Sequence, residues 1–85
     1  MSKSLRSPDH VAFQTVMREA RKEAEMTQAD LAVRLQKPQS FVAKYENGER
    51  RLDVVEFIEI ARALSIPPRR LFERLLRAIS APPAE

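Results

Sequence analysis

The chain has 85 residues, enough for one domain with an economical core, and no cysteine, which excludes disulfides and thiolate metal sites and fits a reducing compartment. Its single histidine cannot hold zinc unaided, no apolar run approaches a membrane span, and no signal-peptide h-region opens it, so a cytoplasmic location is expected. A net charge of +3 and a pI near 9.8 permit nucleic-acid binding without requiring it. One glycine, six prolines and no alternating β-branched runs predict an all-α fold.

Residues 1–7 are polar, with Lys3 and Arg6, and read as a flexible segment; a DNA-contacting arm is the alternative. Ser7-Pro8-Asp9 has the chemistry of a helix start: a hydroxyl cap, proline at the first helical position and an acid in the first turn. The first helix is expected from about Pro8 to Ala24, turning Phe13, Val16, Met17, Ala20 and Ala24 to the core. Arg18, Glu19, Lys22 and Glu23 would make a solvated, ion-paired side.

Thr27 and Asp30 form a variant capping box that opens a second helix, with Leu31, Ala32 and Leu35 on its inner face. After a brief polar break, Pro38, Phe41, Val42 and Tyr45 recur at helical spacing and predict a third helix. Helices this short are not stable alone and must pack on each other and on a shared core. The outer face of the third then carries Gln39, Ser40, Ala43, Lys44 and Asn47: amides, a hydroxyl, a methyl and an ammonium, the groups that read base edges in a DNA major groove. Gly48 supplies a left-handed end to this helix. Asp53 and Glu56 make another capping box before a fourth helix, about Val54 to Leu64, with Val54, Phe57 or Ile58, Ala61 and Leu64 inward. Ser65 to Pro68 is a break. A fifth helix starts at Pro68 with the broad stripe Leu71, Phe72, Leu75, Leu76 and Ile79, and residues 80–85 read as a disordered tail. The predicted domain therefore spans residues 8–79.

The segments TQADLA and PQSFVAKYENGER resemble the Cro/repressor-type, or XRE, helix-turn-helix family, and a looser likeness runs from about Val16 to about Leu76. The resemblance implies a compact five-helix domain whose third helix enters the major groove. It implies a structural ion pair between Arg21 and Glu46. It also implies that Gln28 binds a phosphate and braces Gln39, and that the loop bearing Arg50 and Arg51 follows the DNA backbone. Base reading is expected from Gln39, Ser40, Ala43 and Lys44. Phosphate contacts are expected from Gln28, Lys37, Asn47, Arg50 and Arg51, with the N-termini of the second and fourth helices. The family places glycine where Glu25 and Gln36 stand, so both are expected to carry strain.

The function expected is a sequence-specific double-stranded DNA-binding regulator, a repressor that blocks polymerase sterically. The resemblance implies a two-fold dimer on a palindromic operator. The stripe of the fifth helix extends past the usual end of such domains, so Leu75, Leu76 and Ile79 are expected at the dimer contact. In the alternative, the first helix folds over them through Phe13 and Val16. Two other functions stay open: the antitoxin of a toxin–antitoxin pair, and a protein-interaction module on the same scaffold. No nucleophile–base arrangement, metal cluster or phosphate-cradling glycine loop is visible, so neither enzymatic activity nor a cofactor is expected, and no second domain is seen for a small-molecule effector.

Overall fold

A proline at the first helical position and a hydroxyl before it start the chain's first helix: Ser7 accepts from the His10 N–H, and α1 runs Pro8–Glu23. Four more helices follow, α2 Gln28–Leu35, α3 Gln39–Glu46, α4 Val54–Ala63 and α5 Pro68–Ile79. The computed structural model describes residues 7–79; the expected flexible ends, apart from Ser7, lie outside the described residues. Ser7 itself belongs to the helix start and not to a flexible segment. No strand occurs among the described residues, and no helix there is long and apolar enough to cross a membrane.

Both capping boxes form. Thr27 accepts from the Asp30 N–H while Asp30 accepts from the Thr27 N–H, and Asp53 and Glu56 do the same at α4. Each box satisfies two donors that a helix start would otherwise leave open.

The helix ends follow one rule. Glu25, Gln36, Gly48 and Ser65, each just past the end of a helix, have φ of 60°, 58°, 80° and 61°. Each turn is closed by a bond from the following N–H back to the helix: Met26 to Arg21 O, Lys37 to Ala32 O, Glu49 to Lys44 O and Ile66 to Ala61 O, at 2.8–3.2 Å. This closure satisfies carbonyls that the last turn exposes. Only one of the four residues is glycine, so three L side chains sit in a region that costs roughly 1–2 kcal/mol each. The strain expected at Glu25 and Gln36 is present, and Ser65 adds a third instance.

Met17, Ala20, Leu31, Val42, Tyr45, Ile60, Ala61 and Leu71 form the centre of the core, drawn from all five helices. α1 lies along α5, α2 against α3, and α4 closes the far side on α2 and α5. Two inward assignments need correcting. Val54 is 73% exposed, because the first residue of α4 sits beside the capping box and above the core, and the buried stripe is Phe57, Ile60, Ala61 and Leu64. Pro38 is exposed as the N-cap of α3, and the stripe that begins at Phe41 ends instead on a buried acid, Glu46.

The dimer assignment of Leu75 also fails. It is buried in its own domain's core, because α1 packs along α5 and covers that side of the helix. Ile79 is half-buried and lines a small cavity with Phe13 of α1 and Leu52. What α5 leaves exposed is its other flank, Phe72 and Leu76, at 52% and 48% exposure. The Phe72 ring meets Phe57 of α4 edge-on at 6.4 Å, and Val54 borders the same groove.

Candidate nucleic-acid interface

α3 is held at its C-terminal end by Glu46, which has no exposed surface. Arg21 Nε and Nη2 donate to its two carboxylate oxygens at 2.8 and 3.0 Å, and Arg21 Nη1 donates to Met26 O at 2.9 Å. One guanidinium thus joins α1, the turn before α2 and α3. Hydrogen bonding to Glu46 raises the Arg21 pKa further, so the arginine stays charged throughout. A buried carboxylate is costly unless paired and fully bonded. Here it is both.

Arg18 contributes as well. Its Nη2 donates to the Glu46 backbone oxygen at 2.8 Å, so it is not part of the solvated side where the spacing of α1 had placed it. It lies one turn from Arg21, and the two reach the same end of α3. That spacing was the available signal.

The third partner of Glu46 connects the buried pair to the surface. Gln28 Nε2 donates to Glu46 Oε1 at 3.1 Å. A carboxylate only accepts, so this bond fixes which end of the Gln28 amide faces inward. Its oxygen then faces outward and lies 3.5 Å from Gln39 Nε2, at the outer limit of hydrogen-bonding distance. Gln39 keeps its amide oxygen and a second N–H, an acceptor and a donor side by side. That is the pair that matches adenine N7 and N6.

Gln39, Ser40, Lys44 and Asn47 are exposed, and Ala43 is half-exposed between them. All five share the outer face of α3. The capping boxes limit what the starts of α2 and α4 can offer an anion. The box at α2 places one carboxylate at the helix start and that at α4 two, and each takes one of the free helix N–H groups, leaving those of the first two helical residues. The carboxyl of Asp30 is held below its ordinary range by its bonds to Thr27.

Lys37 and Arg50, on either side of α3 in sequence, converge on one aromatic ring. Lys37 Nζ is 5.1 Å and Arg50 Cζ 4.8 Å from the centre of Phe41. Arg50 is committed further: Nη1 and Nη2 donate to the two oxygens of Glu56 at 3.0 and 2.9 Å, and Nη1 also reaches Arg51 O at 2.8 Å. Glu56, read from sequence only as part of a capping box, is therefore also the partner of an expected phosphate ligand. Nothing local could reveal this, since a six-residue separation across a loop follows no fixed periodicity. Arg51 is exposed beside it.

A helix-turn-helix family model matches residues 17–71. The chain is similar to a solved structure described as an XRE-family like protein from Pseudomonas syringae pv. tomato str. DC3000. The two share 39% identity over 95% of this chain and 100% of that one, with a TM-score of 0.73. No functionally curated protein matches the chain.

Proposed function

Because the chain belongs to the XRE family of helix-turn-helix DNA-binding regulators, we propose that it represses transcription in the cytoplasm by occupying a palindromic operator as a two-fold dimer. The family is one of regulators, not of enzymes, and its partner is double-stranded DNA. The observation that carries the reading is the chain of contacts Arg21–Glu46–Gln28–Gln39, which runs from the core to the tip of α3. It ties α3 to α1 and α2 and brings the Gln28 amide to the limit of bonding distance from Gln39, the amide that in this reading meets DNA first.

In this reading Gln39 bonds an adenine bidentately and Ser40 donates or accepts beside it. Ala43 meets a thymine methyl, and Lys44 reaches guanine or a phosphate. Lys37, Asn47 and Arg51 hold phosphates, with the backbone N–H of Gln28 at the start of α2; these contacts give salt-dependent affinity and register but carry no sequence information. Arg50 stands among them with its guanidinium already bound to Glu56.

The dimer contact is the Phe72–Leu76 flank of α5 with Val54 and Phe57 of α4, an exposed apolar surface of the kind that marks an interface. An isologous contact there would set two α3 helices about 34 Å apart, one turn of DNA. Selection of bound duplexes from a random pool tests the whole reading. A palindromic consensus with half-sites one turn apart is expected; recovery of no consensus would overturn it.

A further inference from the structure

Glu56 lies beside the face that meets DNA, yet it is an acid, and acids there oppose the phosphates. Its side chain is largely buried, at 15% exposure, and every oxygen it has is engaged. One accepts from both Asp53 N–H and Arg50 Nη1, each at 3.0 Å, and the other accepts from Arg50 Nη2 at 2.9 Å. The Arg50 bonds and the Asp53 N–H hold its carboxyl below the usual range, so it is anionic at neutral pH. Arg50 is clamped in turn between this carboxylate, the Phe41 ring and the Arg51 carbonyl. The loop from Gly48 to Asp53 is thereby tied at its middle to both α3 and α4.

We infer that Glu56 is a specificity-determining residue of the DNA-binding surface, which holds Arg50 against Phe41 and so keeps it out of the set of phosphate ligands while bracing the loop that carries Arg51. The inference rests on the DNA-binding reading above. Non-specific binding is almost wholly a count of cations that can reach phosphates. An arginine whose fork is already closed by a carboxylate adds little to that count. The braced loop presents Arg51 in one geometry, which suits a duplex with α3 seated in its groove. A loose loop would adapt to any duplex. Glu56 thus weakens binding to random DNA more than binding to the operator.

Glu56→Gln separates this role from helix capping, because a glutamine oxygen can still accept from the Asp53 N–H while no longer pairing with Arg50 as an ion. Affinity is measured by anisotropy for a pool-selected duplex and a random-sequence duplex between about 50 and 200 mM salt, in wild type, Glu56→Gln, Arg50→Gln and the double variant. Glu56→Gln should bind the random duplex several-fold tighter. Its salt slope should be steeper by about one unit, and the ratio of selected to random affinity should fall. With Arg50 already replaced, the same change should have little effect on slope or ratio. Unchanged slope and ratio in Glu56→Gln, with wild-type binding intact, would overturn the inference alone. So would a gain that persists without Arg50. Failure of wild type to bind either duplex at low salt would overturn the DNA-binding reading and this inference with it.

Discussion

The carboxylate of Glu46, the last residue of α3, takes both its close ionic bonds from Arg21 of α1, 25 residues earlier, with no exposed surface of its own. The helix expected to read DNA is thus anchored through a buried ion pair, and its orientation depends on that pair. Arg21→Met leaves the carboxylate buried without its main partner and should cost about 3–5 kcal/mol. Denaturant unfolding of Arg21→Met, Glu46→Gln and the double variant measures the coupling. A coupling energy near zero would show that the pair does not hold α3.

Tyr45 lies next to that pair with 1% exposure, and its hydroxyl has no hydrogen-bond partner among the described residues. Tyr45→Phe removes an unsatisfied buried group, so stability should be unchanged or rise by up to about 1 kcal/mol. Burial, then the neighbouring Glu46 charge, push the phenol pKa well above its ordinary value of 10.0. A raised folded-state pKa gives stability that is complete below the unfolded value and lost above it. Wild type should therefore lose stability above about pH 10 more steeply than Tyr45→Phe. Parallel pH profiles would show that burial does not raise the phenol pKa, and a clear loss of stability in the variant at neutral pH would show that the hydroxyl is satisfied.

Local chemistry was legible in the sequence, and long-range chemistry was not. Thr27–Asp30 and Asp53–Glu56 could be read as capping boxes because both partners lie within one turn. The link between Arg21 and Glu46 came from the family resemblance, since no spacing rule joins residues on separate helices. Val54 and Pro38 were misplaced for one reason: each stripe was started at the helix boundary, where a residue sits above the core instead of facing it. The stripe of α5 showed how wide the apolar face is. It did not show that α1 covers the Leu75 side and leaves Phe72 and Leu76 exposed. The Arg50–Glu56 pair crosses a loop and had no sequence signal at all.

The left-handed helix ends make a separate prediction. Glu25 and Gln36 are exposed, with φ of 60° and 58°, so glycine at either site relieves strain without removing a core contact. Each substitution should add up to about 1 kcal/mol, or roughly 4–8 °C in Tm for a domain of this size. The gain is tempered by the greater freedom glycine gives the unfolded chain. Thermal unfolding decides it. A fall in Tm for both would mean that these side chains do more than occupy a strained turn.

Association in solution should depend on the exposed flank of α5. Wild type should sediment as a dimer at about tens of micromolar, and Leu76→Glu as a monomer with unchanged helicity. A dimeric Leu76→Glu would move the contact away from this flank. A monomeric wild type would mean that the two copies meet only on DNA.

In the proposed complex α3 reads sequence through the amide of Gln39, which lies against the Gln28 amide. The most direct test of this reading is the affinity of Gln39→Ala for a pool-selected operator and for random duplex at one salt concentration. The operator affinity should fall by about 1–3 kcal/mol, with preference relaxed at one base pair in each half-site. Binding to the random duplex should hold. An equal loss on both duplexes would contradict the account, because Gln39 would then hold the backbone and read no base.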